Sequence, residues 1–287
     1  MRVALLSVLA GGTLTASGAA QELIPATSAP GRLRVETGFR WSRYPGFVDG
    51  EGNLQSFPGA AEFLAASLRL SFSFARSLAA GVEVPYRGSW YRLADPGETL
   101  ASQGVPGFGA FLEWAPGSPA ARFPLRLRMS YRYARPESDD VLTISDGADR
   151  FAALLQVSSA PGALAHDWRA AATLQLEYAP PVESRLSYGE VRLNLLAGPR
   201  LARVGAAGEL RALALAGFRV ASEARQEGNY FQDGKSSGFI AGVLLDLEVA
   251  SKALGSTSLR LDAAHDVFAR NALSGWRLGF VVSPRLW

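Results

Sequence analysis

Residues 124–133 read PLRLRMSYRY, and the alternation in this stretch constrains the fold more than any other feature. Leu125, Leu127, Met129, Tyr131 and Tyr133 share one parity, and Arg126, Arg128, Ser130 and Arg132 share the other. A period of two sends successive side chains to opposite faces of a strand, so one face is apolar and the other is nearly all arginine. The pattern recurs. In GRLRVETGFRW, Leu33, Val35, Thr37, Phe39 and Trp41 oppose Arg32, Arg34, Glu36 and Arg40. In FLAASLRLSFSF, six apolar residues oppose Ser67, Arg69, Ser71 and Ser73. In LAAGVEVPYRG, Val82, Val84 and Tyr86 oppose Glu83 and Arg87. Further segments lie near 106–115, 150–159, 168–179, 188–199, 208–221, 237–250, 256–268 and 275–287, making twelve in all, and no helical period is sustained over three turns.

A strand that is greasy on one side and charged on the other suits a closed barrel in a bilayer. Lipid meets the apolar face, water and charges fill the hollow, and closure satisfies every backbone group. Connector lengths alternate accordingly. Long polar connectors fall near 45–61, 91–105, 134–149 and 222–236, while tight links such as 75–77 and 251–255 lie between them, the habit of outer loops and periplasmic turns. Aromatics gather where strands meet the two membrane interfaces. The outer girdle is read as Trp41, Tyr44, Tyr86, Trp90, Tyr133, Phe151, Tyr178, Tyr188, Phe218, Phe239, Phe268 and Trp276, and the periplasmic one as Phe74, Trp114, Trp168 and Trp287. The fold class is therefore all-β: a transmembrane antiparallel up-and-down β-barrel of about twelve strands.

The ends of the sequence fit that reading. Arg2, the apolar run VALLSVLAGGTL and the small residues Gly18, Ala19 and Ala20 predict a signal peptide over 1–20, cleaved after Ala20. Residues 21–30 are read as a periplasmic N-terminal segment that either hangs free or plugs the pore, and 31–287 as the barrel, with bacterial outer membrane as the location. The absence of cysteine excludes disulfides and a lipoprotein anchor. Trp287 ends the chain with an aromatic of the kind read by the barrel-assembly machinery, although its parity differs from that of Trp276, Leu278 and Phe280, which predicts a bulge near Pro284. A net charge of +3 with no basic run argues against nucleic acid as a partner. Outer-membrane lipid and lipopolysaccharide are the expected surroundings.

Val84, Pro85 and Tyr86, then Gly107 and Gly109, then Pro136 and Glu137, resemble three short elements of the outer-membrane barrels grouped as the MetA-pathway phenol-degradation, or transporter-like, family. The glycine-rich element lacks the family's aspartate, since Ala110 follows Gly109. The resemblance implies movement of small hydrophobic or aromatic compounds.

Parity places Arg69, Arg87, Arg126, Arg128 and Arg132 in the lumen, with Glu36, Glu83, Glu113, Asp246, Glu248 and Asp262. It does the same for Arg32, Arg34, Arg40, Arg169, Arg192, Arg260, Arg277, Glu177 and Glu190. Twelve tilted strands give a backbone radius of about 12 Å, so long side chains from opposite walls nearly meet. These charges either brace the barrel as ion pairs or line a narrow, weakly anion-favouring path. Acids nearly as numerous as arginines favour the brace, and the two roles are compatible. The leading expectation is passive passage of a small solute. The alternatives are a structural or adhesive barrel working through its loops, and a lipid hydrolase centred on His265, which precedes Asp266 and lies across a loop from Ser274. No His-x-Ser-Asn signature supports the last, and His166 lies in a predicted periplasmic turn. No catalytic residue, metal or cofactor is expected. The acidic residues Glu137, Asp139, Asp140, Asp146 and Asp149 read as a solvated loop.

Overall fold

The computed structural model describes residues 23–24, 30–92, 99–116, 121–134, 149–160, 162–181, 187–205, 208–226, 229–232, 235–251 and 255–286. The signal-peptide region, Trp287, Pro136 and the four acidic loop residues before Asp149 lie outside these.

Fourteen segments form one antiparallel sheet that closes on itself. In chain order they are β1 (Leu33–Val48), β2 (Leu54–Ala75), β3 (Leu78–Arg92), β4 (Thr99–Gly104), β5 (Gly107–Trp114), β6 (Leu125–Ala134), β7 (Arg150–Ser158), β8 (Arg169–Ala179), β9 (Tyr188–Gly198), β10 (Arg200–Val204) and β11 (Gly208–Ala221). The short pair β12 (Ala224–Gln226) and β13 (Asn229–Gln232) is a separate hairpin, and β14 (Ser236–Ser251), β15 (Gly255–Arg270) and β16 (Ala272–Leu286) complete the sheet. β4 and β5 share a single place in the wall, both pairing with β3, and β9 and β10 share another, both pairing with β11. The wall is thus a closed barrel of twelve strands, sealed where Leu33 of β1 pairs with Leu286 of β16.

Alternation explains which side is which. Leu68, Leu70 and Phe72 of β2, Val82 and Val84 of β3, and Met129 of β6 point outward and are exposed, as are Leu278 and Phe280 of β16. So continuous an apolar belt is what lipid covers. Arg34, Glu36, Arg40, Arg69, Glu83, Glu113 and Arg128, of the other parity, are buried inside.

Three predicted features differ. The connector at 45–61 is partly strand: β1 and β2 run on past the membrane level to a turn at Asp49–Asn53, because backbone pairing continues whatever the side-chain polarity. Opposite Pro45, residues 57–60 of β2 leave the ladder in a wide bulge. The β15–β16 link shrinks to Asn271, a single residue at φ 47°, which asparagine tolerates. No bulge occurs at Pro284: pairing with β1 and β15 is unshifted there, since proline deletes a donor without adding a residue.

Candidate functional site in the lumen

The inward carboxylates of β1 to β8 are each held by arginine. Glu113, only 1% exposed, accepts from Arg34 Nη2 at 2.9 and 2.7 Å and from Arg128 Nη2 at 2.6 Å. Arg34 reaches it from β1 across the chord spanned by β2 and β3. Arg128 also lies 5.0 Å over the Phe111 ring. Higher up, Arg69 bonds Glu36 at 2.8 Å and Glu83 at 3.3 Å, and Arg132 bonds the same Glu83 oxygen at 3.2 Å. Arg150 lies 3.5 Å from Glu177, whose other partner is the Tyr188 hydroxyl at 2.5 Å. Buried charges persist only with such partners, because leaving water costs several kcal/mol per ion.

The wall from β9 to β15 is different. Leu196, Leu213, Leu215, Leu244 and Ala264 point inward and form a dry patch. Above it come Arg192, bonded to Glu190, and Arg219, and then Arg277 of β16, bonded to Asp266 at 2.5 Å.

Leu23 and Ile24, expected in the periplasm, lie inside the barrel. The Ile24 N–H donates to Gln156 Oε1 at 2.6 Å, and Arg126 Nη1 donates to the Ile24 carbonyl at 2.7 Å. Arg260 Nη1 donates to the Leu23 carbonyl at 3.3 Å, and Leu23 packs on the leucine patch. This short strap therefore crosses from β6 and β7 to β15. The remainder of 21–30, apart from Pro30, lies outside the described residues. The strap is held because an unpaired backbone group inside the wall is costly, and Gln156 offers both a donor and an acceptor.

Toward the outer end, Tyr44, Ala61, Phe63, Tyr91 and Leu273 form an inward apolar cluster. Tyr44 meets Phe63 edge-on at 5.7 Å, and Phe57, carried in by the β2 bulge, meets Tyr91 at 5.8 Å. Tyr44 and Tyr188 were expected in the outer girdle. They turn inward because they share parity with Arg40 on β1 and with Arg192 on β9. Of the other girdle residues, Trp168 and Trp276 are exposed on the outer face, while Trp41, Trp90 and Tyr133 are half-buried there, Tyr133 against Phe108 at 5.3 Å.

Cavities of about 50, 50 and 40 Å³ lie in the lumen among the described residues. Each has room for a few water molecules. The first is lined by Arg40, Arg69, Arg87, Arg132, Glu36 and Glu83, the second by Arg40, Arg192, Arg219, Arg277, Asp262 and Asp266, and the third by Arg69, Arg128, Arg132, Arg150, Glu83 and Glu177. Arg40 is common to the first and second, and Arg69, Glu83 and Arg132 to the first and third. Asp246 stands 3.5 Å from Arg260 near the leucine patch, and Glu248 is on the same strand one turn of the pleat lower.

His265 and Asp266 point to opposite faces. Asp266 is inside on Arg277 and on the Gly275 N–H, and His265 is outside against Trp276 at 4.5 Å, so the two cannot pair as acid and base. Asp149 accepts from the Tyr131 hydroxyl at 3.0 Å, and His166 lies in an exposed turn. Arg150, Gln156, Arg219 and Asp266 escaped the sequence-based set of lumen residues. The first two follow from parity on β7. Arg219 follows from parity on β11 too, where it shares a face with Glu209 and Arg211.

No family model and no curated protein matches the chain. Among solved structures, the COG4313 outer membrane channel from Pseudomonas putida F1 is similar over 92% of this chain and 100% of that one, with a TM-score of 0.69 at 14% identity. The β domain of the Bordetella autotransporter BrkA is similar over 89% and 100%, with a TM-score of 0.54 at 13% identity. The transport unit of the autotransporter AIDA-I from Escherichia coli is similar over 98% of each chain, with a TM-score of 0.51 at 10% identity. At such identities the likeness is one of fold, and together with the apolar belt it makes this protein a β-barrel of the bacterial outer membrane.

Proposed function

We propose that the barrel gives a small solute a narrow passive route across the outer membrane, through a lumen lined by arginine. The observation that carries this reading is that the three cavities are neighbours in the lumen, the first sharing Arg40 with the second and Arg69 and Arg132 with the third. A structural neighbour described as an outer membrane channel is consistent with it. So is the resemblance to the MetA-pathway family, since Pro85 and Tyr86 of its first element line the first cavity. The apolar cluster around Tyr44 and Tyr91 suits a solute with a hydrophobic part entering from outside. On this reading the loops meet lipopolysaccharide, and the last strand is the part offered to the assembly machinery.

A second reading is a closed, braced barrel that acts through its loops. The Arg34–Glu113–Arg128 cluster, spanning β1 to β6, favours it. Liposome swelling separates the two. Purified protein that admits solutes of rising size up to a sharp cut-off supports the passage. Liposomes that swell no faster than empty ones leave only the brace.

A further inference from the structure

We propose that the second cavity is a binding site for a small organic carboxylate with a short apolar body. The proposal rests on the passage reading and adds a solute class to it. Four arginines face this cavity: Arg40, Arg192, Arg219 and Arg277. Their carboxylate partners number three. Asp266 is engaged by Arg277, Glu190 by Arg192, and Asp262 faces Arg40 without closing to an ion pair. Arg219 has none of its own. Among the described residues neither Arg40 nor Arg219 makes a hydrogen bond or ion pair, although both are only 8% exposed.

Each of the four arginines also presents at least one buried nitrogen with no partner: Arg40 Nε, Arg192 Nη2, Arg219 Nη1 and Arg277 Nε. Donors of this kind, gathered around one hollow with a single uncancelled positive charge, call for an acceptor that is an anion. A guanidinium fork matches the two oxygens of a carboxylate.

The other side of the cavity decides what the anion carries. Leu215, Ile240 and Ala264 line it, and Leu215 and Ala264 belong to the dry leucine patch. Gly217 lets Asn194 and Ile240 close over it: a Cβ there would meet Asn194 Oδ1 and the Ile240 side chain at 2.6 Å. A fully hydrated inorganic anion gains nothing from such a surface, whereas a short alkyl group loses water on it.

Titration of the full-length protein in detergent with butyrate, followed by saturation-transfer NMR, tests the site, with 1-butanol as a second observed ligand and inorganic phosphate read by its displacement of butyrate. Saturable butyrate binding is expected, with 1-butanol giving none and phosphate at least tenfold weaker. Arg219→Met weakens butyrate at least tenfold. Arg40→Met does the same and serves if the first variant fails the heat-shift test for a folded barrel. Absence of saturable butyrate binding overturns the site, as does equal binding by both Met variants. Butanol binding as tightly as butyrate removes the arginines from the argument, and phosphate matching butyrate removes the apolar floor, so either also overturns it. Wild-type protein that conducts ions yet ignores butyrate loses the site and keeps the passage. Protein that binds butyrate and conducts nothing loses the passage instead.

Discussion

The lumen has two unlike walls, and their contrast explains more than either alone. From β1 to β8, the carboxylates Glu36, Glu83, Glu113 and Glu177 each hold arginine at 2.6 to 3.5 Å, as with Glu113 between Arg34 and Arg128 and Glu83 between Arg69 and Arg132. From β9 to β15 the lower inner face is leucine, and in the cavity above it four arginines, counting Arg40 from β1 and Arg277 from β16, face three carboxylate partners. Matched charges satisfy each other and set the shape of the interior. On the proposed function, the surplus charge over an apolar floor is what a solute meets. The strap at Leu23–Ile24 joins the two, hydrogen-bonded to the first wall by Gln156 and packed on the second by Leu23.

The largest effect is expected on the matched wall. Glu113→Gln strips two buried guanidiniums of their shared partner and lowers stability by about 3 to 5 kcal/mol, read from urea unfolding of the folded barrel in detergent. A loss below about 1 kcal/mol means lumen water already solvates these groups and the wall is no brace. On the leucine wall, Leu244→Ala, truncating a side chain 1% exposed, is expected to cost about 2 to 3 kcal/mol. A larger loss than for Glu113→Gln reverses the ranking of the walls.

Gln156→Ala acts where the walls are bridged. Loss of its two hydrogen bonds to Ile24 costs about 1 to 2 kcal/mol, speeds amide exchange at Ile24, and raises single-channel conductance as the strap loosens. Unchanged exchange at Ile24 shows that Arg126 and Leu23 hold the strap without it.

The smallest effect lies outside both walls, in the Asp49–Asn53 turn. Backbone donation from Asn53 is the main cause that holds the exposed Asp49 carboxyl below its usual 3.8, with Gln55 and the Glu51 N–H adding to it. A depressed acid stabilises above its ordinary value and loses that contribution as pH falls through the lowered one. The turn is therefore expected to loosen only below about pH 4. Exchange at the Asn53 amide then rises, and Asp49→Asn removes the pH dependence. The same dependence in the variant assigns it to another group.

Much of this architecture can be read from the sequence, for a definite reason. The twelve alternating segments correspond to the twelve strands, because lipid on one face and charge on the other make the period of two audible in nearly every strand. It fades in the middle of β11, where residues 212–216 are apolar on both sides, so the inward Leu213 and Leu215 carry no parity signal of their own. Tyr44 and Tyr188 were misjudged because an aromatic near a strand end looks like girdle until its parity is compared with that of its neighbours. The strap is invisible for another reason. Leu23 and Ile24 have no period of their own, and only closure of the barrel brings Gln156 and Arg260 to them.

The reversal potential of single channels in a planar bilayer under a tenfold KCl gradient tests the central claim most directly. Arginines in excess along an open path predict discrete current steps and a reversal potential on the chloride side. A membrane that stays silent with folded protein inserted, or a reversal potential on the potassium side, contradicts it.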